Sequence, residues 1–167
     1  MSAWFWFPAL VVLALMQTSL VPGLQVGPAA PQLVLVWVLC WAVIRGRGEA
    51  LPWAVAGGII LDLVSQMPPG SHLLALAAVT FLADLGHRVM QGSTALFALA
   101  AVFAGSLLYG LILLGVLAIA GRHPDIATAT VLGVMPGALY NLAVLVPVFL
   151  LQRGLDRRFP VSVLPAW

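Results

Sequence analysis

"GGIILDLVSQMPPGSHLLALAAVTFLADLGHR", residues 57–88, begins as sequence apolar enough for the interior of a bilayer and then places Asp62 inside it. Gln66, Pro68, Pro69, Gly70, Ser71 and His72 follow, and apolar sequence resumes until Asp84. Two hydrophobic runs joined by a Pro-Pro-Gly turn predict an antiparallel pair of helices. The acid poses the question, because an ionised carboxylate at the centre of a bilayer helix costs about 2.5–3.5 kcal/mol even on the lenient insertion scale.

The rest of the chain has the same character. Of its 167 residues, 63% are hydrophobic and only 7% charged, and mean hydropathy is +1.12. A soluble domain carries about 25% charged residues to cover its surface. The composition therefore predicts an integral membrane protein with very small extramembrane parts. The formal charge of +2 comes from arginine alone, scattered along the chain, which excludes the basic patch that nucleic acid binding needs. Cys40, the single cysteine, excludes an intrachain disulfide or a zinc knuckle and is expected to pack as a small hydrophobe. At the N-terminus, Trp4 and Trp6 resemble an interfacial aromatic belt, and no charged n-region precedes them, so a retained first span is expected there.

A helix crossing a hydrocarbon core of about 30 Å needs roughly 20 apolar residues. Six segments approach that length, at about 4–20, 28–44, 51–66, 71–85, 95–120 and 128–151, all within one transmembrane domain covering 1–167. The fold class expected is an all-α integral membrane bundle of six transmembrane helices. The third and fourth spans are short, about 16 and 15 residues, and read either as a tight hairpin or as a re-entrant pair. With both termini cytoplasmic, Arg45, Arg47, Arg88, Arg153, Arg157 and Arg158 lie inside and only Arg122 outside. That asymmetry fits the positive-inside rule, and an odd number of spans would spoil it. These inside arginines are the expected cytoplasmic anchors to anionic lipid.

Residues four apart share a helix ridge. Ala50, Ala54, Gly58 and Asp62 form such a ridge in the third span, and small residues mark where membrane helices pack. His72, Leu76, Thr80, Asp84 and Arg88 form a mostly polar ridge in the fourth span, and Gly133, Gly137 and Asn141 a small-to-polar one in the sixth. Asp62 and His72 lie five residues either side of Met67, so they are expected at similar depth, roughly 6 Å below the tip of the hairpin. Ser71 reads as the N-cap of the fourth helix. Asp62 has two readings: a tie that bonds His72, Ser71 or backbone amides, or part of a polar recess that takes a ligand, an ion or a partner side chain. Asp84 and Arg88 are spaced for an i,i+4 ion pair.

Catalysis finds little support. There is no G-x-S-x-G, the three histidines fall at different depths, and Ser71 beside His72 is poor geometry for a dyad. The only glutamate, Glu49, sits in a predicted loop, far from any H-E-x-x-H pattern. Neither a metal site nor a cofactor site is expected. A proton or ion relay would show several intramembrane ionisable residues, and one deep acid is too few.

Three stretches carry a family likeness: "PQLVLVWVLCWAVIRGRGE" (31–49), "GGIILDLVSQMPPGSHLLALAAVTFLADL" (57–85) and "YNLAVLVPVFLLQRGLDRRF" (140–159). A proline opens the second span, an aromatic-containing end runs into arginines, and an L-D-L-x-S turn leads to P-x-G-x-H-x-L. A Tyr-Asn pair and a basic tail close the chain. Asp62, Ser65, Pro69, Gly70, His72, Tyr140 and Asn141 stand at those positions. In this the chain resembles the rod shape-determining protein MreD family, along its whole length. The resemblance implies a non-enzymatic scaffold of the cell-wall elongation machinery in the bacterial inner membrane. It would bind MreC and work with MreB, RodA and the class B penicillin-binding transpeptidase in organising peptidoglycan synthesis and cell shape. It also implies a fold similar to the S-components of ECF transporters, so a substrate-binding S-component for a vitamin or other small molecule is the alternative. Ala9 and Ala14, five apart in the first span, depart from the small-xxx-small pattern such components carry. The expected polar recess or partner-binding residues are Asp62 and His72, with Ser71 and Asn141.

Overall fold

The structure is a computed structural model that describes residues 7–19, 29–89 and 94–158, with side chains for 8–19, 29–46, 48–85 and 95–154. Helix α1 is Phe7–Ser19, α2 Leu33–Arg45, α3 Arg47–Val64, α4 Ser71–Val89 and α5 Thr94–Ile119. A short α6, Ile126–Ala129, passes through a π-helical turn, Thr130–Val134, into α7, Met135–Arg158.

Helix α2 is the axis of the bundle. Its sequence is apolar all round, and a helix with no polar face must be surrounded. Every residue from Val34 to Val43 is buried, and α1, α3, α4, α5 and α7 all pack against it. Cys40 is buried there as a free thiol. The rings of Trp37 and Trp41 stack with centroids 6.3 Å apart, and Trp53 of α3 closes on Trp41 at 5.9 Å. From the far end of α7, Gln152 donates its Nε2–H to the Trp37 carbonyl at 3.0 Å.

The outer surface is the reverse of a soluble protein's. Leu63, Leu150 and Ile119 are among many large apolar side chains left exposed. Among the described residues two helices, Ala95–Ile119 and Ile126–Gly154, are long and apolar enough to cross a membrane. The hairpin helices α3 and α4, at 18 and 19 residues, are longer than the sequence pattern suggests. They reach about 27–29 Å at 1.5 Å per residue, close to a full hydrocarbon core.

Two boundaries differ from the sequence reading for identifiable reasons. The loop expected between the second and third spans shrinks to Gly46, whose φ of +82° ends α2. Arg47 then starts α3, and Arg45 pairs with Glu49 across the corner at 3.1 Å. Positive φ is cheap only for glycine, so one residue turns the chain. The sixth span begins at Ile126, where the Asp125 carboxylate caps the Thr128 N–H at 3.2 Å and accepts the Thr128 hydroxyl at 2.6 Å. These bonds hold the Asp125 carboxyl below the usual carboxylate range. Just before Pro136 the helix makes the π turn, in which the Met135 N–H reaches back to the Thr130 carbonyl. Pro136 has no N–H for the preceding turn, and widening the ladder accommodates that loss.

The α3–α4 contact is the closest in the bundle. A Cβ built on Gly58 would lie 2.5 Å from the Leu73 Cα and 2.9 Å from its nitrogen. Gly58→Ala is therefore expected to force the hairpin apart and destabilise the fold by about 1–3 kcal/mol. Gly48→Ala, with open space around it, serves as the unchanged control in thermal unfolding of the detergent-solubilised protein.

Candidate functional site

A helix start leaves backbone N–H groups without intrahelical partners, and in lipid no water is there to take them. Helix α4 begins in this position, directly after the 65–70 turn. Its four leading amides are all satisfied. Ser71 N–H donates to the Pro68 carbonyl at 3.2 Å, and Leu74 N–H to the Gly70 carbonyl at 2.9 Å. Between them, Asp62 reaches across from α3 and accepts His72 N–H on Oδ1 at 2.9 Å and Leu73 N–H on Oδ2 at 3.2 Å.

This corrects the role read for Ser71. It is the first residue of α4 rather than its N-cap, and its hydroxyl donates back to the Pro68 carbonyl. Gly70, at φ +87°, precedes the helix and has no side chain with which to cap. The carboxylate of another helix supplies the acceptor instead.

The same device recurs at α2. Its Val34 N–H donates to Gln17 Oε1 of α1 at 2.9 Å, and Gln32 N–H to Asn141 Oδ1 of α7 at 2.7 Å. Asn141 is fully buried, and its Nδ2 donates to Ser106 Oγ at 2.9 Å. Three helices are thereby joined through one amide.

Beside these ties lies a recess of about 410 Å³. Of the four residues expected to shape it, only His72 lines it. Asp62 is spent on the α4 amides, Ser71 on Pro68, and Asn141 on the α2 and α5 ties. The lining instead includes Gln17, Gln32, Ser106 and Tyr109. Tyr109 was missed in the sequence, where it is one aromatic in a long apolar helix. Its buried hydroxyl lies 2.5 Å from His72 Nδ1.

The packing ridges are placed as follows. Ala54 is buried, Gly58 meets Leu73, Gly137 faces the Ala30 carbonyl, and Gly133 stands in the π turn on the recess wall. Among the arginines, Arg45 folds onto Glu49 and over the Trp41 ring rather than reaching outward. Arg153 lies over Phe149. The side chains of Arg47, Arg88, Arg157 and Arg158 lie outside the described ones, so the Asp84–Arg88 pair does too.

The caps make ordered predictions. Asp62→Asn retains one acceptor oxygen for two amides, and Asp62→Ala retains none. Stability is expected to fall in that order, with Asp62→Ala costing about 1–2 kcal/mol as for lost N-caps. Asn141→Leu, which strands the half-buried Gln32 N–H, should cost about 1–3 kcal/mol. Thermal unfolding of the three variants in the same detergent reads all of them.

A search of curated proteins and a search of solved structures each returned no match. The family model described as rod shape-determining protein MreD matches residues 1–158, a span that takes in the hairpin, the Asp62 tie and the Asn141 tie. On that match the chain belongs to the MreD family of rod shape-determining membrane proteins.

Proposed function

We propose that the chain is a multi-pass scaffold of the bacterial inner membrane that binds MreC and helps organise peptidoglycan synthesis during rod-shaped growth. It forms one domain of six crossings with both termini in the cytoplasm. MreB, RodA and the class B penicillin-binding transpeptidase belong to the same larger complex, and neither a cofactor nor nucleic acid takes part.

The observation that carries this reading is the family match over residues 1–158. Two features support it. Six arginines fall on the cytoplasmic side of that topology and one on the other, as the positive-inside rule asks. The Asp62 carboxylate and the Asn141 amide are also occupied in holding helices together, which suits a rigid scaffold better than a reaction centre. Among the described residues no group of three His, Cys, Asp or Glu side chains could hold a metal.

The test is affinity purification of the tagged protein from native membranes, with bound proteins identified by mass spectrometry. Recovery of MreC, with RodA and the transpeptidase, is the expected result. Recovery of an ATPase pair and its membrane coupling subunit in place of MreC would overturn the scaffold in favour of an S-component. Asp62→Ala is expected to lower either the protein's level or its yield of MreC, because the hairpin loses its tie. A normal level with full MreC recovery would remove Asp62 from both roles.

A further inference from the structure

The recess has a definite hydrogen-bonding polarity, which follows from Tyr109. That residue is 1% exposed, and the one hydrogen-bond partner of its hydroxyl among the described residues is His72 Nδ1. A buried hydroxyl hydrogen needs an acceptor, and the tautomer that satisfies it within the described residues has Tyr109 donating and Nδ1 accepting. The His72 ring is then neutral with its remaining proton on Nε2, and that N–H has no partner among the described residues.

Two further donors line the same space. Gln17 and Gln32 each use the side-chain oxygen, one to cap Val34 and the other to accept from Asn141 Nδ2. Their Nε2–H₂ groups are left without partners among the described residues. Ser106, by contrast, is used in both directions, donating to the Val102 carbonyl and accepting from Asn141.

Among the described residues no charged side chain lines the recess, and the nearby Asp62 carboxylate opposes an anion. An unpaired ion moved into such a site loses its hydration with no opposite charge to compensate it. Apart from the Thr18 and Ser65 hydroxyls, which are engaged locally with their own turns, the rest of the wall is mostly apolar, with Leu113, Leu114 and Leu117 of α5 facing the recess and Val134 from the π turn. Single π turns inside longer helices frequently mark functional sites, and a volume of about 410 Å³ lies within the range of small-molecule pockets, about 300–1,000 Å³.

We infer that the recess is a binding site for a small uncharged molecule that presents a carbonyl-type acceptor to His72 Nε2–H and the Gln17 and Gln32 amides, with an apolar body laid along α5. The carbonyl belongs either to a free small molecule or to the ester of a membrane lipid. This site is independent of the scaffold reading and holds whichever partners the protein recruits.

The probes are N,N-dimethylhexanamide, hexanoate and hexylammonium, which share an apolar chain and differ in charge and acceptor. The protein is labelled with ¹⁵N-histidine and placed in phosphatidylcholine nanodiscs, and the His72 ring resonances are assigned by their loss in His72→Gln. N,N-dimethylhexanamide is expected to shift the His72 Nε2 resonance saturably and to leave His123 unmoved. Hexanoate and hexylammonium should bind at least tenfold more weakly. Ala129→Phe, which narrows the recess from the exposed end of α6, should weaken the amide at least tenfold while the folded spectrum is kept.

A second arm compares ester-linked with ether-linked phosphatidylcholine and no probe. A His72 Nε2 shift between the two lipids identifies the lipid ester as the source of the carbonyl. No shift in either arm overturns the proposal, as does equal binding of hexanoate or an amide response unchanged in Ala129→Phe.

Discussion

Everything at one end of this bundle depends on where the first amides of α4 find acceptors. A helix that starts after Pro-Pro-Gly has no side chain immediately before it to do the work, and lipid offers no water. Asp62 answers from the preceding helix with two oxygens for two N–H groups. Its negative charge also lies at the positive end of the α4 dipole, where it is favoured. The cost of an acid in the membrane is thereby offset locally, and the same bonds set the register of α3 against α4. Gly58, four residues earlier, lets the two backbones close to the distance those bonds require. The acid and the glycine are thus two parts of one contact.

The capping of α2 follows the same logic with neutral amides. Gln17 and Asn141 come from helices at opposite ends of the chain and meet the start of the most buried helix. An amide side chain accepts at one atom and donates at another, so each cap leaves a donor over. Asn141 gives its donor to Ser106, and Gln17 leaves its own beside the recess. The donor-rich character of that recess is a by-product of using amides as helix caps.

Much of the hairpin was legible in sequence because it is local. Asp62 and His72 are ten residues apart around a marked turn, and the ridge of Ala50, Ala54 and Gly58 has helical spacing. The amides from residue 141 to residue 32, and from residue 152 to residue 37, were invisible for the opposite reason. Their partners are more than a hundred residues away, and a glutamine in an apolar helix carries no sign of its target. Tyr109 was hidden in the same way. The boundary differences have local causes that sequence expresses weakly. Gly46 can end one helix and open another without a loop, and Pro136 widens the turn before it instead of breaking the span. Arg45, expected as a lipid anchor by count of charges, also pairs with Glu49 one turn on, a contact that charge counting does not reveal.

Helix α2 also has a consequence for biogenesis. It is synthesised second, yet α3, α4, α5 and α7, which bury it, all emerge later. With 13 residues it spans only about 20 Å, too short to rest comfortably in the bilayer alone. The Gln32 amide, just before the helix, meets its Asn141 acceptor only after Asn141 has left the ribosome. The nascent chain must therefore hold its central helix in an unfinished state until α7 has been made, and α7 is the helix that completes the core.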